Sequence, residues 1–298
     1  MADARPALSL VATPGKRAAI LELAAEADRQ GFAGIACPSL GGAMGLCASL
    51  AHVTREIPFW TSIQPIYLAN PAETAGTASH LHEVSGGRFR LGLGVSHAPM
   101  HKRLGVEAGR PLSDTRDYVG AVRAAAGELT PPIYLAAMRD RMLGLAAEVA
   151  EGAIWANAAR SAIAAQLARV PASAADGFFR ANMIPTVIDE DRVAADAINR
   201  RTLTGYLTLP NYRNYWRDAG YVEEMAAVEA ALEAGQRDRL PSLMSDAWLH
   251  DVTLSGSVSE VRDGIEAWAE LGLVPIAVMS STSGGQAKAV EELFHAYR

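Results

Sequence analysis

Short apolar runs alternate with segments of helical periodicity along most of the chain. Residues 7–12 are continuously apolar apart from one serine, and the next segment repeats apolar residues every three to four positions until Gly31. The same alternation predicts eight strands, in residues 7–12, 32–37, 57–67, 88–95, 131–137, 153–158, 178–189 and 273–280. Eight such strands separated by helices favour an α/β fold, a (β/α)8 TIM barrel, over an open doubly wound sheet.

One segment breaks the alternation. Residues 189–251 are mostly helical in pattern and polar, and they are too long for an ordinary connection. We therefore predict a single domain, 1–298, with a helical insertion after strand seven. The insertion carries an aromatic cluster made of Tyr206, Tyr212, Tyr215, Trp216 and Tyr221. The cluster is typical of a lid over a site or of a dimer contact, and the pattern favours neither.

Composition narrows the class of partner. The 298 residues carry a net charge of −6 and no long basic run, which argues against nucleic acid or an anionic membrane as a partner. Cys37 and Cys47 have no ligand-like spacing, so we expect neither a disulfide framework nor a metal site. The apolar stretch near the start is too short for a secretory signal or a membrane span, and we expect a cytoplasmic protein.

The stretch SGGRFRLGLGVSHAPMH, residues 85–101, combines four glycines with two histidines. Glycine inside a strand loses packing and costs backbone entropy, so its use here needs a reason. Gly92 and Gly94 lie on one face of the predicted strand, because side chains alternate across a strand. Their missing side chains either leave room for a flat ring or permit tight packing against the neighbouring strands.

The same stretch resembles a known family. SGGRFRLGLGVSH, with WTSIQPIYLANPAETA before it and RPLSDTRDYVGAVRA and PIYLAAMRDRMLGLAAEVAEGAIWANAARS after it, resembles the luciferase-like monooxygenase superfamily. The likeness is strongest to its flavin- and deazaflavin-dependent oxidoreductases, and it covers most of the chain in order and spacing. It implies a barrel with an insertion after strand seven and a redox cofactor, FMN or coenzyme F420, at the carboxyl-terminal mouth. The passage GVSHAPMHKRLGVEAGRPLSDTRDYV is most similar to the deazaflavin branch.

The resemblance also implies which residues meet the cofactor ring. The bond between Ser62 and Ile63 aligns with a non-prolyl cis peptide that supports the ring in family members. It further implies ring contacts along the end of strand four, from Gly94, Val95 and Ser96. His97 aligns with a polar or acidic cofactor contact, which implies a binding role and acid catalysis, since the histidine pKa lies near neutral.

The cofactor phosphate is implied at two loops that begin helices, where unpaired backbone N–H groups and the helix dipole favour an anion. The matching residues are Ala136, Ala137, Met138 and Arg139 in one loop, and Asn157, Ala158, Ala159, Arg160 and Ser161 in the other. Where relatives commonly have a Gly-Pro-Lys type sequence, this chain has MRDR. Cys37 and Ser39 stand where deazaflavin enzymes often place a catalytic histidine or aspartate, so the proton donor is unassigned.

These features lead to one leading hypothesis and two alternatives. The leading hypothesis is an oxidoreductase, expected to be a homodimer, in which reduced F420 or FMN transfers a hydride to a small organic substrate. An FMN-dependent monooxygenase is the first alternative. A non-catalytic flavin-binding member is the second, suggested by the missing acidic or histidine residue after strands one and two.

Overall fold

The structure, a computed structural model, describes residues 5–38, 42–170 and 177–298, and Ser39 lies outside these residues. Two compact units divide them. We call residues 5–155 and 168–181 the N-terminal unit, and residues 156–167 and 182–298 the C-terminal unit. Whether they act as the predicted single domain stays a prediction.

The N-terminal unit alternates strands and helices. Its elements are β1 (Ala7–Ser9), α1 (Arg17–Arg29), β2 (Gly34–Cys37), α2 (Ala43–Val53), β3 (Phe59–Thr61), β4 (Gln64–Pro65), α3 (Pro71–Val84), β5 (Phe89–Gly94), α4 (Ala98–Leu104), α5 (Pro111–Ala126), β6 (Ile133–Ala136), α6 (Asp140–Val149) and β7 (Gly152–Ala156). These strands pair in parallel and largely in chain order, with β4 also pairing with β5. Their carboxyl ends therefore lie at one edge of the sheet, where sites of such folds are built.

The C-terminal unit is richer in helix. Its elements are α7 (Arg160–Leu167), most of β8 (Phe179–Ile188), α8 (Arg192–Leu207), α9 (Pro210–Asp218), α10 (Val222–Glu233), α11 (Asp246–Val252), β9 (Leu254–Gly256), α12 (Val258–Glu270), β10 (Val274–Ser280) and α13 (Gln286–Ala296). The predicted insertion, 189–251, is helical throughout its regular parts. Strand β8 pairs with β9 and β10. The strand order and parallel pairing confirm the predicted fold class, a (β/α)8 barrel.

Two details of the strands differ from the prediction. The short strand β9 was not predicted, because its sequence, Leu-Ser-Gly, has no apolar run. The predicted strand 57–67 is interrupted. Phe59 pairs with Phe89, but Gln64 pairs with Leu93, so residues 61–63 lie opposite only two residues of β5. This one-residue surplus displaces the chain between β3 and β4, as a β-bulge does.

Arg88 fixes the opposite end of β5. Its guanidinium donates hydrogen bonds to the carbonyl oxygens of Ala51, Thr54, Ile57 and Ser85 and to the hydroxyl of Thr54, at distances of 2.6 to 3.2 Å. It also lies over the ring of Phe59. Among the described residues, no helix has the length and apolar character that a membrane span requires.

Candidate functional site

The peptide bond between Ser62 and Ile63 is cis, as the resemblance implies. Both residues follow β3 directly and are half-buried, whereas β3 itself is buried. The backbone N–H of Ser62 donates to the carbonyl oxygen of Cys37 at 2.7 Å, which ties the bond to the end of β2. The cis bond thus lies at the carboxyl edge of the sheet.

Gly92 lies against the backbone of β3. A Cβ on Gly92 would overlap the carbonyl oxygen of Thr61. The hydroxyl of Thr61 also donates to the Gly92 carbonyl at 2.7 Å and accepts from the Gly92 N–H at 2.9 Å. Of the two alternatives for Gly92, the structure therefore supports tight packing against the neighbouring strand, because the backbone of β3 fills the space where a ring would lie.

Gly94 brings three predicted site residues together. A Cβ on Gly94 would lie 2.9 Å from Cγ1 of Ile63, closer than real Cβ contacts allow, and 3.0 Å from Cβ of Ala136, tighter than nearly all of them. Glycine at this position lets the side chains of Ile63 and Ala136 both lie close to the backbone of β5. The space is filled rather than open, so Gly94 provides no slot for a ring. We call these three residues, Ile63, Gly94 and Ala136, at the ends of β3, β5 and β6, the ledge.

The chain becomes accessible immediately after the ledge. Leu91 and Leu93 of β5 are fully buried, but Val95, Ser96 and His97 are half-buried. Ser96 has a left-handed backbone with φ of 63°, which turns the chain sharply between strand and helix. His97 then precedes α4 directly. A ligand at the ledge would therefore meet the segment that carries His97.

Burial lowers the pKa of His97, and the nearby His101 lowers it further. A lowered pKa favours the neutral imidazole near pH 7. The neutral ring can accept a proton or a hydrogen bond, but it is a weaker acid source than the acid-catalytic role implied by the resemblance.

Sequence reasoning missed the importance of His101, because the pattern of residues 85–101 does not distinguish it from an exposed loop histidine. The side chain is buried, and its Nε2–H donates to the carbonyl oxygen of Val95 at 2.6 Å. The ring meets Tyr67 edge-on at 5.5 Å, and the Tyr67 hydroxyl donates to Asp114 at 2.8 Å. Burial and Asp114 raise the pKa of Tyr67 to about 12. We call His101, Tyr67 and Asp114 the support network of His97.

The first predicted phosphate loop lies at the start of α6. The N–H of Ala137 donates to the carbonyl oxygen of Ile154 at 3.0 Å, so this donor is already used. Met138 is half-buried, and Arg139, the residue before α6, is exposed. Asp140 follows in the first turn and accepts a hydrogen bond from Arg169 at 2.6 Å. Arg139 is thus the accessible cation of this loop, with a paired carboxylate beside it.

The second predicted phosphate loop, 157–161, supplies few backbone donors to a ligand. Asn157, with φ of 56°, donates its N–H to Met183, and the N–H of Ala158 donates to Oδ1 of Asn182. Two more N–H groups have internal acceptors: that of Ala159 donates to the Tyr215 hydroxyl at 3.1 Å, and that of Ser161 donates to Asp251 at 2.9 Å. The expectation of unpaired donors here is wrong. Arg160 begins α7 with an exposed side chain.

The aromatic cluster of the insertion packs inside its own unit. Tyr212, Tyr215 and Trp216 are buried, while Tyr206 and Tyr221 are half-buried. A series of ring contacts links Tyr206, Tyr212, Trp216, Trp248 and Tyr221. Trp216 Nε1 also donates to the Asn157 carbonyl at 3.0 Å. The three buried side chains therefore form a core, and they are not available to a partner chain.

The two cysteines and the potential metal ligands are the remaining candidates for chemistry. Cys37 and Cys47 are buried free thiols, and burial, together with Cys37, raises the pKa of Cys47. The raised pKa keeps the Cys47 thiol protonated at neutral pH. Within 5–38, 42–170 and 177–298, no three histidine, cysteine or acidic side chains cluster as metal ligands would.

Comparison with known proteins places this geometry in a family. The model of the luciferase-like monooxygenase family matches residues 3–274. The 5,10-methylenetetrahydromethanopterin reductase of Archaeoglobus fulgidus is 25% identical over 278 residues, which cover 81% of this chain and 82% of the reductase. The solved structure of the coenzyme F420-dependent tetrahydromethanopterin reductase from Methanopyrus kandleri shares the fold, with a TM-score of 0.75, 17% identity and complete coverage of both chains.

A second solved structure extends the likeness to flavin enzymes. The oxygenating constituent of 3,6-diketocamphane monooxygenase from Pseudomonas putida, in complex with FMN, has a TM-score of 0.63 at 15% identity and covers 98% of this chain and 97% of its own. These two structural matches establish the shared fold. The family match over most of the chain establishes more: this chain belongs to the luciferase-like monooxygenase family.

Proposed function

We propose that this chain is an oxidoreductase that uses coenzyme F420 or FMN to exchange a hydride with a small organic substrate at the carboxyl ends of β3, β5 and β6. The observation that carries the proposal is the ledge, which stands at the carboxyl edge of the sheet beside the half-buried segment that carries His97. The names of the relatives and neighbours support the cofactor class.

The ledge fits the ring of such a cofactor as a platform. Its exposed parts are the side chains of Ile63 and Ala136, which are half-buried and apolar. A flat heteroaromatic ring gains free energy by covering apolar surface of this kind. Ser62, Val95 and Ser96 are half-buried and border the ledge, and we propose that the Ser96 hydroxyl meets the polar edge of the ring.

The residues implied for the cofactor phosphate suit it less well than the ledge suits the ring. Of the residues implied for the phosphate, we propose Met138 and Arg139 as its neighbours, and a charge pair with a side chain as exposed as that of Arg139 is screened by water and adds little affinity. The α7 loop, with Asn157, Ala158 and Arg160, does not fit a phosphate held by backbone donors, because its donors have internal partners.

His97 is the proposed catalytic residue, and its chemistry follows from its pKa. When bound, the reduced flavin or deazaflavin supplies the hydride. The neutral imidazole of His97 accepts a hydrogen bond or a proton from substrate or cofactor. Buried His101 holds the Val95 carbonyl and so fixes the turn that presents His97. Cytoplasmic location and a homodimer stay predictions.

The test combines binding with turnover. The protein is titrated with FMN and with F420, and each reduced cofactor is then mixed with a panel of aldehydes, ketones and enones. We expect tight binding of one cofactor and its oxidation by some member of the panel. Ala136→Trp should abolish binding by covering the ledge, whereas Ala124→Trp, at an exposed position of α5, should not.

Two other outcomes separate the alternatives. Oxygen uptake with reduced FMN and product oxygenation identify the monooxygenase, the class of the Pseudomonas neighbour. Cofactor binding without turnover on any substrate identifies a non-catalytic member. If neither cofactor binds the unmodified protein, the proposal is wrong.

A further inference from the structure

The amino-terminal end of α7 in this chain holds an acidic side chain of the insertion. Asp251, in α11, accepts a hydrogen bond from the N–H of Ser161 at 2.9 Å and another from the Ser161 hydroxyl at 2.6 Å. The hydroxyl of Tyr221, which immediately precedes α10, donates to the same carboxylate at 2.7 Å. Three donors from two parts of the C-terminal unit therefore converge on one carboxylate.

This arrangement places a negative charge where a helix favours an anion. The first turn of a helix combines unpaired N–H groups with the positive end of its dipole, and it stabilises a carboxylate or a phosphate equally well. Here the first turn of α7 already has Asp251. A second anion at the same place would share its donors with that carboxylate and would be repelled by it.

The neighbouring donors are also committed. The N–H of Ala159 is bonded to the Tyr215 hydroxyl, and that of Ala158 to Oδ1 of Asn182. Tyr215 is buried and donates in turn to Gln166. Burial raises the pKa of Tyr221, and its bond to Asp251 raises it further, so the phenol stays protonated and keeps donating. The N–H groups of Ala158, Ala159 and Ser161 therefore all have side-chain acceptors within the C-terminal unit.

We propose that Asp251 is a specificity-determining residue, which withholds the amino-terminal end of α7 from the phosphate of a ligand. The inference rests on the proposed function, because it concerns the same cofactor class. It follows that a phosphorylated flavin and its phosphate-free counterpart bind the unmodified protein with similar affinity. Removal of the carboxylate leaves the Ser161 N–H, the Ser161 hydroxyl and the Tyr221 hydroxyl facing one space, which is a donor set suited to phosphate.

The experiment compares FMN with riboflavin by calorimetric titration of the full chain. We expect their dissociation constants to differ by less than threefold in the unmodified protein. In Asp251→Ala, the preference for FMN should rise at least tenfold. Asp246→Asn is the matched control, since Asp246 lies in the same helix and pairs with Arg200 at the surface, so its loss should leave the ratio unchanged.

Other outcomes overturn the inference or the proposed function separately. An FMN preference above tenfold in the unmodified protein, or an unchanged ratio in Asp251→Ala, overturns the inference. If Asp251→Ala does not fold, Asp251→Asn, which removes the charge alone, should still raise the ratio. If no ring ligand binds any variant, the proposed function fails. In that case a titration with inorganic phosphate, followed by NMR, tests the inference by itself. Phosphate should shift the Ser161 amide resonance in Asp251→Ala and leave it unchanged in the unmodified protein. Equal shifts in both proteins would refute the inference.

Discussion

Nε2 of His101 lies 2.6 Å from the carbonyl oxygen of Val95, and this hydrogen bond spans the turn that carries His97. Ser96 in the left-handed region makes the turn, and α4 returns His101 to the strand end. The buried side chain of His101 in α4 thus fixes the position of the half-buried His97, which precedes the helix. The relationship assigns His101 a positioning role and separates it from His97, which is half-buried.

Replacing His101 by Gln tests how the two histidines interact. Glutamine keeps an N–H donor for Val95 but removes the ring that lowers the pKa of His97. We expect the pKa of His97 to rise and to stay below its ordinary value of 6.5, because burial is the larger cause. Imidazole resonances followed against pH by NMR measure this. His80→Gln, on an exposed part of α3, is the control, and an unchanged His97 pKa in His101→Gln would contradict the prediction.

The lowered pKa of His97 also makes stability depend on pH. The unfolded chain binds the proton more readily than the folded one, so the free energy of unfolding falls as pH drops below 6.5. Above that pH the contribution is fully present. His97→Gln should therefore flatten the stability profile as pH falls below 6.5, as measured by urea unfolding at each pH.

Asp114→Asn tests the outer part of the support network. The carboxylate of Asp114 raises the pKa of Tyr67, and burial raises it more, so the pKa should fall from about 12 and remain above 10. Because ionisation of Tyr67 disfavours the folded state, its contribution is present below pH 10 and lost as pH approaches 12. Tyrosine ring-carbon resonances report the pKa, and Tyr67→Phe identifies the signal. A value that stays at about 12 would refute the assigned bond.

Thr61→Val removes the hydroxyl that bonds the N–H and the carbonyl of Gly92, in place of backbone hydrogen bonds between β3 and β5. The N–H and carbonyl of Gly92 would lose their partner in a buried position, and we expect a loss of about 2 to 4 kcal/mol in the free energy of unfolding. Thr61→Ser keeps the hydroxyl and should cost about 1 kcal/mol. Urea unfolding compares the two, and equal losses would show that the methyl group is what matters.

Two glycines with opposite surroundings provide a paired test. Gly92→Ala places a methyl group on the Thr61 carbonyl oxygen, and backbone must move, so we expect a loss of at least about 3 kcal/mol. Gly144→Ala, in α6 with open space around it, should stabilise the chain by about 0.5 to 1 kcal/mol. Thermal unfolding ranks the variants. Normal stability of Gly92→Ala would restore the interpretation of an open slot.

The alternation of apolar runs was sufficient to predict the barrel class, because burial in a parallel sheet requires continuous apolar strands. It was insufficient for β9, where Ser255 and Gly256 are buried through pairing with β8 rather than through their own hydrophobicity. The cis Ser62–Ile63 bond came from the resemblance alone. Periodicity carries no signal for it.

The candidate site was less accessible to sequence reasoning. Gly92 and Gly94 were correctly singled out, but only coordinates distinguish a glycine that makes space from one that admits a neighbour. His101 gains its role through a contact with Val95 that helical spacing alone does not reveal. The donors of 157–161 looked free in the sequence because their acceptors, Met183, Asn182, Tyr215 and Asp251, lie between 24 and 90 residues away.

The surplus residue between β3 and β4 has a consequence for chain length. Three residues, 61–63, span the distance that two residues of β5 cover. The extra residue is what lets Ile63 lie next to Gly94. If the chain were one residue shorter between Trp60 and Gln64, it would run alongside β5 without interruption. The displacement between β3 and β4 would then be lost. Deletion of one residue here would thus remove the displacement of the chain at the sheet edge without altering any other strand.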